Sequence, residues 1–209
     1  MLANPEQHLP GNRFNDGRCD PAGRFWAGTM ALSEEEGAGN VYMMDQDGHV
    51  STKIKDVTIS NGLAWSADKK TLYYIDTPTH EIVAFDFDLT SGKISNKRAV
   101  IKIAKEEGSP DGMTIDSEDM LWIAHWGGWQ VTRWDPRTGR QLNRIALPVS
   151  KVTSCTFGGD TLEDLYITTA SVDLTEQEMK EQPLAGALFV VHNSGVKGRP
   201  SIEYRGNYK

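Results

Sequence analysis

Residues 110–124 read Pro-Asp-Gly-Met-Thr-Ile-Asp-Ser-Glu-Asp-Met-Leu-Trp-Ile-Ala: a polar start, a short apolar run, a turn and a second run centred on an aromatic residue. Turn residues between two β-rich runs predict an antiparallel hairpin. The same arrangement occurs three more times, and the steps between the central aromatic residues are 47, 49 and 44 residues, at Trp26, Tyr73, Trp122 and Tyr166. A period of this length indicates a chain built from repeated units.

Each repeat continues into further runs that resemble strands. A third run and a turn follow each aromatic run, and a fourth run follows the turn, at residues 50–59, 94–103, 141–149 and 202–205. Four short strands per repeat, at a period in the forties, are typical of β-propeller blades. The one convincing helical stretch, residues 174–181, is interpreted as a loop insertion. The sequence therefore predicts a single all-β propeller domain over residues 1–209 with about four blades, and four repeats could also close as a four-bladed ring.

The composition narrows the class of function. The chain carries a formal net charge of -7, which argues against a nucleic-acid partner because phosphate binding needs a basic surface. No apolar run approaches the roughly 18 residues of a membrane span, and the polar N-terminus does not resemble a secretory signal. Cys19 and Cys155 are too few and too far apart for a disulfide framework. These features predict a cytoplasmic protein without a membrane partner, and they leave its oligomeric state open.

Four side chains that carry oxygen occupy equivalent positions, eleven or twelve residues before the aromatic residue of each repeat: Asn15, Asn61, Asp111 and Ser154. Because the innermost strands of a propeller line its central channel, these side chains are expected to converge there. Amide and carboxylate oxygens are the ligands that hard divalent cations prefer. Asn-Gly and Asp-Gly are also ordinary turn formers, but turns alone need not share a register with the aromatic strand.

Other candidate residues have simpler interpretations beside the functional ones. His125 follows the third aromatic run, and it could reach a pocket at the strand end or pack at a blade edge. Residues 34–36 are three glutamates, which fit a solvated loop, although one carboxylate could line the channel mouth. No nucleophilic-serine elbow, phosphate loop, dinucleotide fingerprint or zinc-type Cys/His cluster stands in a suitable context.

Several blocks of the chain carry a family resemblance: residues 12–17 (Asn-Arg-Phe-Asn-Asp-Gly), 20–24, 27–30, 59–65 (Ile-Ser-Asn-Gly-Leu-Ala-Trp), 74–77, 110–113, 135–139 and 153–159. In this order they resemble the SMP-30/gluconolactonase/regucalcin family. The resemblance implies a six-bladed propeller with one divalent metal ion in its channel, and many members open sugar lactones such as gluconolactone. Family members carry about two further blades before the motif at residues 12–17, so this chain is expected to hold about four of six.

The resemblance also implies a metal site. By position, Asn61 and Asp111 would be direct metal ligands, and Asn15 would be a further contact to the metal or the substrate. The family's remaining ligand is a glutamate on the first inner strand, upstream of any residue in this sequence. The metal would be Ca²⁺ or Zn²⁺, with Mg²⁺ and Mn²⁺ as alternatives that accept the same oxygen ligands.

For the substrate, the resemblance implies that Arg13 and Asn15 hold the hydroxyls of the sugar lactone. A carboxylate that contacts substrate in some members aligns with Ser33 here, so Glu34 would be a shifted substitute. The hypothesis is metal-assisted lactone hydrolysis, in which the metal polarises the carbonyl and Asp111 activates water. The rivals are a non-catalytic propeller that binds calcium or a metabolite, a protein-binding scaffold, and an inactive fragment whose open strand edges make it marginally stable or prone to associate.

Overall fold

The computed structural model describes residues 3–207. They divide into two compact units: unit 1 runs to Arg98 and includes the C-terminal segment from Ser201, and unit 2 is Ala99–Pro200. Each unit contains two sheets of the propeller-blade type, so the prediction of an all-β chain with about four blades is confirmed. The single domain over residues 1–209 stays a prediction. Within residues 3–207, no helix is long and apolar enough to cross a membrane.

Unit 1 contains blades 1 and 2, except for the last residues of the fourth strand of blade 2, and the strands of each blade are hydrogen-bonded in chain order. Blade 1 consists of β1 (Asn12–Cys19), β2 (Phe25–Ala31), β3 (Gly39–Met44) and β4 (Val50–Val57). Blade 2 consists of β5 (Ser60–Trp65), β6 (Thr71–Asp76), β7 (Glu81–Phe87) and β8 (Ile94–Lys102), with a 3-10 turn at Thr77–Thr79. The ladders of β1 and β5 are irregular beside the candidate residues, at the Phe14/Gly17 and Asn61/Leu63 steps. Such bulges re-aim the side chains next to them.

Unit 2 contains blades 3 and 4. Blade 3 consists of β9 (Ser109–Ile115), β10 (Leu121–Trp126), β11 (Gln130–Asp135) and β12 (Arg140–Ala146), after a 3-10 turn at Lys105–Glu107. Blade 4 has three strands, β13 (Val152–Gly158), β14 (Asp164–Thr169) and β15 (Leu188–Val191). The helix α1 (Glu176–Glu181) lies between β14 and β15 and begins with a capping box at Thr175, as expected for a loop insertion.

The prediction of a fourth strand at residues 202–205 is wrong. After β15 the chain turns toward the β9–β10 turn, where the Ser117 backbone N–H donates to the Lys197 carbonyl, and Pro200 then has no N–H for a ladder. The C-terminal segment instead bonds to blade 1. Its contacts there are Tyr204 Oη to Asp45 O (2.6 Å), Arg205 N to Gly23 O (2.9 Å) and Asn207 N to Gln46 O (2.7 Å).

Glu6 fixes the segment that precedes β1. Its carboxylate is buried and accepts four hydrogen bonds of 2.9 Å from blade 1, donated by the side chains of Asn12, Thr29, Asn40 and Tyr42. Burial acts to raise the pKa of Glu6, but these hydrogen bonds outweigh it and hold the pKa below its ordinary value. The charged form is therefore the stable one, and it anchors the segment to the blade.

The hydrophobic core of each unit lies between its two blades and is centred on the strand aromatics. In unit 1, Trp26, Trp65 and Phe87 pack edge to face, with ring centroids 5.8 to 6.1 Å apart. In unit 2, Trp122 packs perpendicular to Phe157 at 5.7 Å. These are favoured aromatic geometries, and each ring buries a large apolar surface. Trp26 and Trp122, the central aromatic residues of the first and third repeats, are therefore packing residues.

A buried aspartate holds the first hairpin of blade 1. Asp20 Oδ1 accepts the backbone N–H groups of Ala22 (2.8 Å) and Arg24 (3.1 Å), which closes the β1–β2 turn. Its Oδ2 accepts Arg24 Nε at 2.6 Å and Trp26 Nε1 at 2.9 Å. The carboxylate is fully buried, yet its charge and acceptor positions are matched by a guanidinium and three N–H donors.

Blade 3 repeats the same arrangement. Asp116 Oδ1 accepts the backbone N–H groups of Glu118 (2.9 Å) and Met120 (3.0 Å), and Oδ2 accepts Trp122 Nε1 (2.9 Å). Here the guanidinium is that of Arg133 on β11, whose Nε donates to Oδ2 at 2.8 Å. Each aspartate precedes its tryptophan by six residues, so the same turn and indole are held in both units.

Replacing Asp116 with Ala should strongly destabilise unit 2. The substitution leaves the Nε of the mostly buried Arg133 guanidinium and the indole N–H of Trp122 without their acceptor, although Arg133 Nη2 keeps Glu118; removing one partner of a buried ion pair costs about 3–5 kcal/mol. Urea unfolding followed by tryptophan fluorescence measures the loss. Asp86→Ala is the control, because it breaks the half-exposed ion pair of Asp86 with Arg98 and should change stability little. Equal losses in the two variants would contradict the structural role of Asp116.

Candidate metal and substrate site

In unit 1, three of the predicted site residues lie in one hydrogen-bonded chain. Arg13 and Asn15 project from β1, and Asn61 projects from β5 of the next blade. Arg13 Nη1 donates to Asn15 Oδ1 at 2.7 Å. Asn15 Nδ2 donates across the blades to the Ser60 carbonyl at 2.8 Å and, at a longer 3.3 Å, to Asn61 Oδ1. The structure therefore brings together the residues that the sequence placed at equivalent positions of two repeats.

The surroundings of Asn61 orient its amide group. Asn61 is buried, and its Nδ2 donates to Thr77 Oγ1 at 2.8 Å. The amide oxygen Oδ1 therefore faces away from Thr77 and is the end that accepts. A cation could take the place of the long 3.3 Å hydrogen bond from Asn15. The chemistry of this oxygen fits a hard divalent cation. Asn15 Oδ1 differs, since the guanidinium of Arg13 already occupies it, and a neighbouring positive charge disfavours a metal there.

Asp111 belongs to unit 2, at the start of β9. It is partly buried, and the residue after it, Gly112, approaches blade 4, because a Cβ at position 112 would lie 2.3 Å from Ser154 Oγ. Glycine at position 112 therefore allows β9 and β13 to approach closely. The convergence of Asp111 and Ser154 themselves stays a prediction.

Glu34 lies in the exposed loop between β2 and β3. Its backbone has a left-handed φ of 57°, and its N–H closes a turn onto the Ala31 carbonyl. The contacts described for Arg13 are with Phe14 and Asn15 and do not include Glu34. A substrate-binding role for Glu34 stays a prediction.

His125 is a structural residue by its contacts. It is completely buried, Nδ1 lies 2.9 Å from the Glu107 carbonyl, and Nε2 lies 2.6 Å from Thr132 Oγ1. A carbonyl only accepts, so the proton is assigned to Nδ1 and Nε2 accepts from Thr132, whose oxygen accepts Trp134 Nε1 at 2.6 Å. Burial lowers the pKa of His125 to about 4, so the ring is neutral. The sequence allowed His125 either to reach a pocket at the strand end or to pack at a blade edge. Its contacts fit a packing residue, and the ring is buried.

Sequence reasoning missed several polar residues around the site. Asp16 follows Asn15 on β1, and burial raises its pKa against the opposing effects of Arg18 and the Gly17 N–H. Thr77 orients Asn61, and Ser60 supplies a carbonyl to Asn15. Position in the repeat could have indicated Asp16 and Ser60, which flank the aligned asparagines. Nothing in the repeat indicates Thr77, because it lies in the 3-10 turn after β6.

A second group of metal-type ligands lies in the β3–β4 turn. Asp45, Asp47 and His49 bring one ligand atom each within 4.8 Å of one another. Hydrogen bonds of the turn account for them: Asp45 Oδ1 accepts the backbone N–H groups of Asp47 (3.0 Å) and His49 (2.9 Å). Asp47 Oδ1 accepts Asn207 Nδ2 at 2.9 Å. The cluster is exposed and is explained as a turn tied to the C-terminal segment.

Comparison with known proteins identifies related sequences over most of the chain. Residues 1–171 match the family model described as SMP-30/Gluconolactonase/LRE-like region. Regucalcin of Sus scrofa is 46% identical over 211 aligned residues, which cover 99% of this chain and 71% of that protein.

Solved structures show the same relationship. A regucalcin of Agrobacterium tumefaciens, described as a calcium-binding protein, superposes with a TM-score of 0.93 at 32% identity, covering 98% of this chain and 69% of that one. A gluconolactonase of Xanthomonas campestris superposes with a TM-score of 0.63 at 27% identity, covering 77% and 56%.

The buried neutral ring of His125 should make stability depend on pH. The pKa is near 6.5 in the unfolded chain and about 4 in the folded one, so the unfolded state binds more protons between these values. The free energy of unfolding should be fully retained above pH 6.5 and should fall by up to roughly 3 kcal/mol as the pH drops toward 4. Urea titrations at several pH values measure this slope.

His125→Gln should remove this part of the slope, because a neutral amide can keep both hydrogen bonds without titrating. His49→Gln, at an exposed position, is the control and should retain the slope. An unchanged slope in His125→Gln would contradict the assignment.

Proposed function

The chain belongs to the SMP-30/gluconolactonase/LRE-like family, and from this premise we propose that it hydrolyses a sugar lactone with the help of one divalent metal ion. The observation that carries the proposal is the hydrogen-bonded chain from Arg13 through Asn15 to Asn61. This chain of hydrogen bonds joins the guanidinium of Arg13, which can donate to sugar hydroxyls, to the amide oxygen of Asn61, which can bind a cation. A protein-binding scaffold would not need polar side chains at equivalent positions of neighbouring blades.

Asn61 and Asp111 would hold the metal ion, as an amide and a carboxylate from equivalent positions of two repeats. When bound, the ion supplies Lewis acidity that polarises a carbonyl and stabilises negative charge on its oxygen. Thr77 supports this role by fixing the amide of Asn61 with its oxygen toward Asn15. Asn15 is better suited to the substrate, because its amide oxygen already accepts a hydrogen bond from the positively charged Arg13.

In the proposed reaction, Asp111 accepts the proton of the attacking water, and Arg13 and Asn15 orient the substrate through its hydroxyls. Arg13 is exposed, so its guanidinium can reach a ligand while it stays bonded to Asn15. Glu34 would contribute only if its loop brought the carboxylate to the same ligand. The serine hydroxyl of Ser154 has no histidine base among its described contacts, so acid–base chemistry is assigned to Asp111.

A second candidate is calcium binding without catalysis. It is favoured by the similarity to regucalcins, one of which is described as a calcium-binding protein. The same ligands would serve both functions, since Ca²⁺ binds amide and carboxylate oxygens. Only turnover separates the two candidates, and a protein-binding scaffold would show neither turnover nor binding of the metal.

Asp111→Asn should separate the two roles of the carboxylate. The amide keeps an oxygen for the metal but cannot accept a proton, so the variant should lose at least about 100-fold in turnover while it still binds the metal. Asp111→Ala should lose both turnover and metal binding. The measurements are acid release from glucono-1,5-lactone, with and without added Ca²⁺ or Zn²⁺, and calorimetric titration with each metal.

Asp86→Asn is the matched control, because it removes a half-exposed carboxylate that pairs with Arg98, and it should change neither turnover nor metal binding. Turnover in Asp111→Ala equal to that of the unchanged protein would exclude Asp111 as the base. Metal binding without turnover in the unchanged protein would favour the second candidate.

A further inference from the structure

The outer edge of blade 4 differs from the outer edges of the other three blades. Blade 4 ends at its third strand, β15 (Leu188–Val191), and no other strand of residues 3–207 pairs with the far side of β15. The segment that the sequence predicts there, residues 202–205, bonds to blade 1 instead. The outward backbone N–H and C=O groups of β15 are therefore a template for a further strand.

The side chains of β15 alternate between the core and the solvent. Phe189 and Val191 are partly buried and pack against the core of unit 2. On the opposite face, Leu188 is 64% exposed and Val190 is 41% exposed. Leu184, in the turn before the strand, is also more than half exposed. An apolar strand with one exposed face, at the edge of a sheet, favours association with another chain.

The outer strands of blades 1 to 3 carry charges that protect a sheet edge, and β15 carries none. Each of β4, β8 and β12 has at least two basic residues, which are Lys53 and Lys55, then Lys97, Arg98 and Lys102, then Arg140 and Arg144. Two copies of such a strand would bring like charges together, which destabilises a strand pair. Two copies of the sequence Leu-Phe-Val-Val bring together only apolar side chains. Among these four outer strands, β15 alone is therefore complementary to itself.

We propose that β15 is the interface of a two-fold symmetric dimer, in which it pairs antiparallel with β15 of a second copy of the chain. An antiparallel pair with two-fold symmetry places one residue opposite itself. With Phe189 in this position, Leu188 of each copy lies opposite Val190 of the other, on the exposed face. The exposed apolar side chains of the two copies then cover each other. This dimer does not depend on the proposed lactone hydrolysis.

The concentration dependence of the molecular mass tests the dimer. A strand of four residues buries a small area, so the dimer should be weak and should form as the protein concentration rises. Sedimentation equilibrium of the full chain, up to about 1 mM, detects even a millimolar dissociation constant. A chain that stays monomeric over this whole range overturns the proposal.

Val190→Lys tests whether β15 is the interface. The lysine would lie opposite an apolar side chain and close to its own copy, so the dissociation constant should rise at least about tenfold. Val50→Lys is the matched control, because Val50 is a similarly exposed valine on the outer strand β4 and should not affect the dimer. Both positions are exposed, and near-ultraviolet circular dichroism checks that both variants fold. Equal dissociation constants in the two variants overturn the assignment to β15.

A pair of opposite charges tests the register. Leu188→Lys and Val190→Glu should each weaken the dimer when alone, because like charges then lie diagonally across the two-fold axis. An equal mixture should form a dimer again, since lysine of one copy then lies opposite glutamate of the other. A mixture that remains as monomeric as the two separate variants overturns the register centred on Phe189.

Hydrogen exchange separates strand pairing from contact through the side chains alone. The outward amides within Leu188–Val191 should exchange more slowly at concentrations at which the dimer forms, because they become hydrogen-bonded between the copies. The amides of β4 are the internal control and should not change. A dimer in which exchange at Leu188–Val191 is unchanged overturns the proposed pairing of the strands.

Discussion

A fully buried carboxylate at the turn between the first two strands organises blades 1 and 3. An aspartate can accept about four hydrogen bonds, and here two close the turn, one holds the indole of the central strand and one neutralises a guanidinium. One carboxylate thereby closes the turn, orients the tryptophan and pairs with the arginine. Because the tryptophan is held from its polar edge, its rings must pack in one orientation. The register of the first strand, which carries the candidate ligands, follows from this.

The candidate site depends on a different kind of constraint, since its residues are mostly neutral. Amide groups have two chemically distinct ends, and neighbours decide which end faces outward. Thr77 fixes Asn61, and the Ser60 carbonyl fixes Asn15. The one cation in this chain of hydrogen bonds, Arg13, sits at the outer end. The arrangement separates an oxygen suited to a metal from a guanidinium suited to a substrate.

The sequence predicts the repeat, and hence the strands, because turn and apolar residues alternate with a constant period. It also predicts that Asn15 and Asn61 meet, since they share a position in that repeat. It does not predict the C-terminal segment, whose strand-like residues 202–205 bind blade 1 through single hydrogen bonds over about 160 residues of separation. Nor does it predict how completely the hydroxyl of Tyr74 is buried, because that burial depends on several strands. The periodicity of the sequence reflects local structure, whereas these features depend on contacts between residues that are far apart in the chain.

The C-terminal segment has a consequence for the order in which the chain folds during synthesis. Blades 1 and 2 leave the ribosome before blades 3 and 4, yet unit 1 obtains the bonds from Tyr204, Arg205 and Asn207 only after unit 2 has been made. Until then the β3–β4 turn and the Gly23 carbonyl must be satisfied by water. Domains usually fold from the N-terminus as they emerge. Here unit 1 obtains its full set of contacts only after the residues of unit 2 have been synthesised.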